Sequence, residues 1–379
     1  MFFKDIVGYR ETKKKLLHII NNDRISHAQL FLGKEGSGNL AMALAYAQYV
    51  NCQQKGAEDS CGTCPSCIKF QKLVHPDLHL VFPVATNEKV KKDPVSANFL
   101  ESWRAAFLKN PYFTLTDWQE IAETGNKQLL INTKESSDIL KALSLKTYEA
   151  EYKIMLIWFP EKMNASSSNK LLKILEEPPK KTLFLLVASF AEQLLPTIIS
   201  RVQLVKLNPI DEKELTDYII EKYQLPKNEA ENIARLSDGN VNQLIRIIEK
   251  GDDTEFFQHT FVQLMRSAFV GNVPGLIEWT DEIAKIGREK QKQFLIYGLH
   301  LFRESLIMNY GDAALSKKNS KEAEFLKKFA PYIHGTNCLD TIELFNDAVY
   351  HIERNANPKI LFLDVALKLT KLLRMKMEV

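Results

Sequence analysis

A short apolar run that ends in a glycine-rich segment limits the folds open to this chain of 379 residues. Residues 28–33 (AQLFLG) lead into GKEGSG, and an Ala- and Leu-rich helix is predicted from Asn39 to about Val50. Later apolar runs alternate with helical patterns at about 134–145 and 166–177. These runs are predicted strands at 79–83, 129–131, 153–159 and 182–189. Such alternation, with continuous apolar strands, indicates an α/β domain with a parallel sheet covered on both faces.

The glycine-rich segment has the position of a phosphate-binding loop but not its side-chain chemistry. Gly33, Gly36 and Gly38 lie between a strand and a helix, where backbone N–H groups can cradle phosphates. Asn39 stands where such loops carry the lysine that neutralises the β- and γ-phosphates, and Leu40 stands where they carry the hydroxyl that ligates Mg²⁺. We expect ATP either not to bind or to bind passively through the loop amides.

The strand predicted at 153–159 also lacks residues that ATP hydrolysis requires. In an NTPase of this type the strand ends in acidic residues that hold Mg²⁺ and polarise water. Here the run IMLIWFPEK ends in Trp158 and Phe159 before Glu161 is reached. Because two separate elements are missing, the sequence predicts that this chain does not hydrolyse ATP.

Four cysteines form a cluster typical of a metal site. Cys52, Cys61, Cys64 and Cys67 are spaced with two residues between each of the last three, and Gly62 and Pro65 permit tight turns. Four thiolates fill a tetrahedral shell, so the spacing favours structural zinc, although an iron–sulfur cluster takes the same ligands. We expect the fifth cysteine, Cys338, to be a buried thiol, and the nearby His75 and His79 to be ordinary surface or core histidines.

The remaining sequence indicates an insertion followed by two helical regions. Residues from about 85 to 128 are polar, Lys-rich and aromatic-bearing, and are predicted to be an insertion. After residue 208 the pattern becomes helical, with a small domain at 209–251 and a larger bundle at 252–379. The net charge of +3 is too small to attract nucleic acid globally, and no apolar run is long enough to cross a bilayer. These features predict a cytoplasmic protein.

Several motifs resemble those of bacterial DNA polymerase III clamp-loader subunits, which are AAA+ P-loop proteins. They are CGTCPSC after the first helix, then HPDLHLVFP, NKLLKILEEPP and LLPTIISR. The resemblance covers most of residues 1–250 and implies an AAA+ domain at 1–208 with a zinc module at 52–67, a helical lid at 209–251 and a C-terminal collar at 252–379. The γ/τ members keep a complete phosphate loop and δ′ members often do not, so the degraded loop points to the δ′ type.

The resemblance also implies partners and one functional side chain. Subunits of this type form a hetero-pentamer of γ/τ, δ and δ′ that places a sliding clamp on primer-template DNA during replication. Ser200 and Arg201 match the motif whose arginine reaches the ATP site of the neighbouring subunit, while Val202 departs from its cysteine. A guanidinium supplied in trans can stabilise charge on the transferring phosphoryl group. By the same resemblance the lid's sensor arginine falls near Asn242, and Arg246 is expected to be only a surface cation.

Other interpretations of the same residues predict different proteins. An active γ/τ-like ATPase motor would need Lys34 to replace the missing lysine, although it lies at another loop position. A zinc-dependent nucleic-acid-binding module would use the lysines at 13–15, 89, 91, 92, 180 and 181, but such runs are usually solvated surface. Arg201 could instead form only a local salt bridge. Glu176 and Glu177 could suggest an acid/base pair, but adjacent residues on a helix point in different directions, so a structural role is favoured.

Overall fold

The computed structural model describes residues 1–125, 127–250, 254–310, 320–354 and 356–375. The chain divides into two compact units, Met1–Glu249 and Lys250–Val379. Within the described residues, no helix combines the length and the apolar character that crossing a membrane requires.

A five-stranded parallel sheet forms the centre of the first unit, as the alternation of strands and helices predicts. The order across the sheet is β2, β3, β4, β1, β5. The strands are β1 (Ala28–Leu32), β2 (Leu78–Val81), β3 (Lys153–Trp158), β4 (Thr182–Ala188) and β5 (Gln203–Lys206). Every residue of β3 and β4 is buried, because helices cover both faces of a parallel sheet.

Helices pack on the two faces of this sheet and form two apolar cores. Alternate residues of β3 face opposite sides, so that Ile154 and Leu156 join one core, and Met155 and Ile157 join the other. The helices around the sheet are α1 (Arg10–Asn21), α2 (Asn39–Val50), α3 (Pro65–Gln71), α4 (Leu100–Lys109), α5 (Leu115–Ile121), α6 (Thr133–Ser144), α7 (Ala165–Glu176) and α8 (Pro196–Ile199).

The strand predicted at 129–131 is not a strand in the structure. Leu130 forms one antiparallel bridge to Val84, and Ile131 forms one parallel bridge to Met163. The pairing does not extend because each of the two residues bonds to a different segment, so no continuous ladder can develop.

The insertion at 85–128 contains α4 and α5 and is packed into the first core. The indole rings of Trp103 and Trp118 are completely buried, and Trp103 stacks on Phe82 with ring centroids 5.1 Å apart. The aromatic residues of the insertion therefore belong to the core that covers the sheet. The sequence pattern, which is polar and Lys-rich, did not predict this.

Three further helices complete the first unit. They are α9 (Glu212–Tyr223), α10 (Lys227–Leu236) and α11 (Val241–Lys250). Their apolar faces form a separate core around Leu215, Ile219, Val241 and Leu244, which also contains Val7 from the N-terminus and Tyr112 from the insertion. The boundary between this helical segment and the α/β domain stays a prediction.

The second unit is helical throughout the part of it that the structure describes. Its helices are α12 (Thr254–Val270), α13 (Val273–Ile283), α14 (Arg288–Tyr310), α15 (Ser320–Phe329), α16 (Cys338–Glu353) and α17 (Pro358–Leu372). Its core combines aliphatic and aromatic side chains, the latter including Phe261, Trp279 and Phe294. The thiol of Cys338 lies in that core, as expected for a buried cysteine.

Candidate functional site

The glycine-rich loop lies between β1 and α2, as predicted. Gly36 and Gly38 have φ angles of +75° and +99°, a backbone conformation that favours glycine. Gly33 donates its N–H to the carbonyl of Ala188 at the end of β4. The loop therefore has the strand-loop-helix placement of a phosphate cradle.

The two side chains that replace the catalytic ones serve the fold. The amide nitrogen of Asn39 donates to the carbonyls of Gly33 at 3.0 Å and Ala188 at 3.3 Å. Leu40 is buried in the first core. Neither residue presents a cation or a hydroxyl to the loop.

Aromatic rings occupy the carboxyl end of β3. The ring centroid of Trp158 lies 4.8 Å from that of Phe113 and 6.0 Å from that of Trp103, both on the insertion. Phe159 has a φ of 55° and is buried beside Trp158. The insertion and the aromatic end of β3 thus form one cluster, in the place where an NTPase carries its acidic residues.

The N-terminal end of α11 closes over the loop. The backbone N–H groups of Val241 and Asn242 donate to the carbonyl of Gly36 at 3.0 Å and 3.3 Å. The amide of Asn240 donates to the carbonyl of Glu35 at 2.8 Å. The loop is therefore bonded directly to α11.

Arg246 was predicted to be a surface cation, and this prediction was wrong. Its guanidinium, with 17% of the side chain exposed, forms an ion pair with Asp117 of α5. Burial alone would raise the pKa of Asp117, but Arg246 and the hydrogen bonds from Thr114 outweigh it and hold that pKa below its ordinary value. Asn242 is buried and donates to the same carboxylate at 3.0 Å.

Glu161, the first carboxylate after β3, faces the end of β4. It accepts hydrogen bonds from the N–H groups of Ser189 at 2.9 Å and Phe190 at 3.4 Å. Burial raises its pKa to about 7, and the neighbouring Glu35 acts in the same direction. This carboxyl is therefore held by backbone donors and is about half protonated near pH 7.

Ser200 and Arg201 follow α8 on an accessible part of the first unit. The Arg201 guanidinium pairs with Glu176 at 2.6 Å and donates to the carbonyl of Thr197 at 2.9 Å and to the hydroxyl of Ser200 at 3.2 Å. One third of its side chain is exposed. The local salt bridge considered from the sequence is thus present in the single chain, and Glu176 is its partner.

The four cysteine thiols predicted to hold a metal lie together. Their Sγ atoms are all within 4.8 Å of one another. Ligands about 2.3 Å from a tetrahedral zinc ion lie about 3.8 Å apart, so a small rearrangement suffices to bind it. Backbone N–H groups point at the sulfurs, from Cys61 to Cys52, from Cys64 to Cys61 and from Cys67 to Cys64. The N–H of Cys64 lowers the pKa of Cys61 to about 6, whereas burial raises the pKa values of the Cys52 and Cys67 thiols. Of these three thiols, Cys61 is therefore the one that ionises most readily to the thiolate that binds metals.

The lysines that suggested nucleic-acid binding do not form one surface of free cations. Burial lowers the pKa of Lys13 to about 8, and its ammonium donates to the carbonyl of Ile6. Lys181 pairs with Glu151 at 2.7 Å. Lys89, Lys91 and Lys92 are exposed on the insertion. His75 is a buried histidine, as expected, and His79 is half-buried.

The local sequence pattern does not predict the contribution of the insertion to this site. The segment TLTD at 114–117 matches the capping-box signature, and Thr114 and Asp117 do cap α5. That signature could have located the start of the helix. It could not have predicted the contact between Asp117 and Arg246, because the two residues are distant in the sequence.

Comparison with known proteins identifies the family. The model of the family described as "DNA polymerase III, delta subunit" matches residues 8–211, more than half of the chain. This chain belongs to that family. The predicted resemblance to clamp-loader subunits of the AAA+ type is confirmed.

Two subunits named delta′ agree with this assignment. The chain is 32% identical over 243 residues to DNA polymerase III subunit delta′ of Bacillus subtilis, a match that covers 64% of this chain and 59% of the relative. It is 23% identical to subunit delta′ of Escherichia coli, over 80% of this chain and 76% of the relative. A DNA polymerase III gamma subunit-related structure from Thermotoga maritima covers 96% of this chain and all of its own, with 16% identity and a TM-score of 0.37.

Proposed function

We propose that this chain is a non-hydrolysing, δ′-like subunit of a DNA polymerase III clamp loader. The observation that carries the proposal is the contrast between two sites of the first unit. The glycine-rich loop lacks the catalytic lysine and hydroxyl and is bonded to α11, while Arg201 is retained on an accessible surface. A subunit with these properties contributes to a neighbour's ATP site rather than to its own.

In this role Arg201 acts in trans. Its guanidinium leaves Glu176 and reaches the γ-phosphate of ATP bound to a γ/τ subunit, and Ser200 supports the turn that presents it. Because an exposed ion pair contributes about 0–1 kcal/mol, the pair with Glu176 is easily exchanged for a phosphate. The carboxylate therefore holds the arginine until the neighbouring subunit is in place.

The assembly that this role requires contains other subunits. We expect γ/τ and δ subunits in a hetero-pentamer, with a sliding clamp and primer-template DNA bound through the complex in the cytoplasm. The helices of the second unit would act as the collar. The chain is then not an enzyme by itself, but a component of the polymerase holoenzyme.

The cysteine cluster is proposed to hold structural zinc. Four thiols with S–S separations within 4.8 Å leave no open coordination position for a reacting water. Zinc would therefore fix the segment between Cys52 and Cys67 and would take no part in chemistry.

The alternative, an active γ/τ-like motor, has less support. Lys34, the residue that would have to replace the missing lysine, has 70% of its side chain exposed and lies 3.7 Å from Asp238. The ammonium faces a carboxylate next to α11. A motor would also need an acidic residue at the end of β3, where Trp158 and Phe159 are buried.

Two measurements on the purified chain test the proposal. We expect no turnover of Mg·ATP by the chain alone, and stable co-elution with the γ/τ and δ subunits of the same organism in size-exclusion chromatography. Turnover that follows the chain through purification, and that Lys34→Ala abolishes, would favour the motor. Failure to co-elute with the other subunits would remove the clamp-loader assignment.

A further inference from the structure

We propose that the insertion at 85–128 takes the place of a nucleotide: it fills the space above the glycine-rich loop and latches α9–α11 to the α/β domain. We call the contacts among Asn110, Tyr112, Asp117, Asn242 and Arg246 the latch. In this arrangement the position of the helical segment does not depend on ATP. The inference concerns the chain alone and does not rest on the proposed clamp-loader function.

The first step is that other parts of the chain restrict access to the glycine-rich loop. An added Cβ at Gly36 would collide with the side-chain oxygen of Asn240, and one at Gly38 would lie 2.9 Å from the ring of Tyr112. The outer faces of both glycines are therefore covered by other parts of the same chain. A phosphate that approached the loop amides from these sides would have to displace α11 or the tyrosine.

The second step is the position of Tyr112. Its ring is buried in the core that α9–α11 share with Val7, and its hydroxyl accepts a hydrogen bond from the Val7 N–H at 3.0 Å. One aromatic side chain of the insertion thus contacts the loop, the N-terminal segment and the helical segment. Such a buried ring fills the volume between these elements with apolar surface.

The third step is the polar part of the latch. Asn110 donates to Asn242 at 2.7 Å, Asn242 donates to Asp117 at 3.0 Å, and Arg246 forms the ion pair with the same carboxylate. Asn110 and Asp117 belong to the insertion, whereas Asn242 and Arg246 belong to α11. The ion pair between Arg246 and Asp117 is largely buried. Separating α11 from the insertion would leave each of these charges without its partner in a poorly hydrated place, which is costly.

The fourth step is the anchoring of the insertion itself. The indole N–H of Trp118 donates to the carbonyl of Pro83 at 2.9 Å, and the N–H of Leu115 donates to the Glu35 carboxylate at 2.9 Å. The ring of Trp103 lies among Phe82, Phe113 and Trp158. Because the insertion is fixed to the sheet and to the loop, it can hold α11 in one position.

Hydrogen–deuterium exchange with the isolated chain tests the latch. In the wild type we expect millimolar Mg·ATP to leave the exchange of α9–α11 and of the loop unchanged. Arg246→Gln is expected to speed the exchange of α11 amides by about tenfold or more, while the sheet keeps its protection. Arg235→Gln is the matched control, because Arg235 forms its ion pair with Glu212 inside the helical segment.

Two results would overturn the proposal. One is protection of the loop or of α11 by Mg·ATP in the wild type, which needs no variant and so decides the question even if Arg246→Gln does not fold. The other is an exchange rate of α11 in Arg246→Gln no faster than in Arg235→Gln. Arg246→Lys keeps a cation near Asp117 and is expected to give an exchange rate between those of the wild type and Arg246→Gln.

Discussion

At the scale of single residues, Glu161 is a titratable group with an unusual pKa that lies near the glycine-rich loop. The carboxyl accepts two backbone hydrogen bonds next to the loop, and burial raises its pKa to about 7. An NTPase would use an ionised carboxylate near this point to hold Mg²⁺. In this chain the group carries part of its proton at neutral pH, which suits a structural contact better than a metal ligand.

This shift predicts the pH dependence of stability. The folded state keeps the Glu161 proton up to about pH 7, whereas the unfolded chain loses it near the ordinary value of 4.5. The unfolded state therefore binds fewer protons between these values, and the contribution to stability falls as pH rises through this window. Glu161→Gln cannot ionise, so we expect it to gain about 1–3 kcal/mol relative to wild type between about pH 4.5 and pH 8.

Urea denaturation, followed by the tryptophans of the first unit, measures that difference. Glu192→Gln, at an exposed carboxylate of the same unit, is the control and should change with pH as the wild type does. An unchanged pH dependence in Glu161→Gln would show that the carboxyl ionises normally in the folded chain.

A second prediction at this scale concerns the cysteines. Cys64→Ser removes one of four thiols that lie within 4.8 Å of one another. We expect the bound zinc, measured by metal analysis of the purified chain, to fall from about one ion per chain to near zero. Cys338→Ser, a buried cysteine of the second unit, should keep its zinc. Equal zinc in both variants would exclude the cluster as the metal site.

At the scale of secondary-structure elements, the insertion is the feature that most changes the domain. Its helices α4 and α5 place Trp103 and Trp118 in the first core and bring Asp117 to α11. At the end of β3, the ring of Trp158 packs against Trp103 and against Phe113 of the insertion. Trp158 and Phe159, which stand where an NTPase carries acidic residues, therefore form one aromatic cluster with the insertion.

This packing predicts a large effect for one side chain of α4. Trp103→Ala removes a completely buried indole, so we expect a loss of about 3–5 kcal/mol in the free energy of unfolding of the first unit. Leu108→Ala, on the same helix with 54% of the residue exposed, should cost less than about 1 kcal/mol. Similar urea midpoints for the two variants would show that the insertion does not belong to the core.

At the scale of the whole molecule, the sequence predicted the features that depend on local patterns. The parallel sheet, the position of the glycine-rich loop, the clustered cysteines and the helical second half all follow from periodicity or spacing. The latch does not, because it joins residues 110–117 to residues 242–246 and depends on tertiary packing. The same limit explains the errors at 129–131 and at Arg246, where a contact partner rather than the local sequence decides the structure.

We propose that the chain's own nucleotide site is filled and that its catalytic contribution is one arginine. Arg201 is held by Glu176 in the single chain and is proposed to reach ATP in a neighbouring subunit. A substitution at Arg201 should therefore change ATP hydrolysis at the site of the neighbouring subunit, and it should not affect the filled site of this chain.

ATP hydrolysis by the reconstituted clamp loader, with clamp and primed DNA, tests this claim most directly. We expect Arg201→Ala to assemble normally and to lower turnover at the neighbouring site by about a thousandfold or more, so that the complex loses that site's share of its rate. Arg24→Ala, at an exposed arginine of the same unit, should leave the rate unchanged. Full assembly of the Arg201→Ala complex with hydrolysis at the wild-type rate would contradict the account.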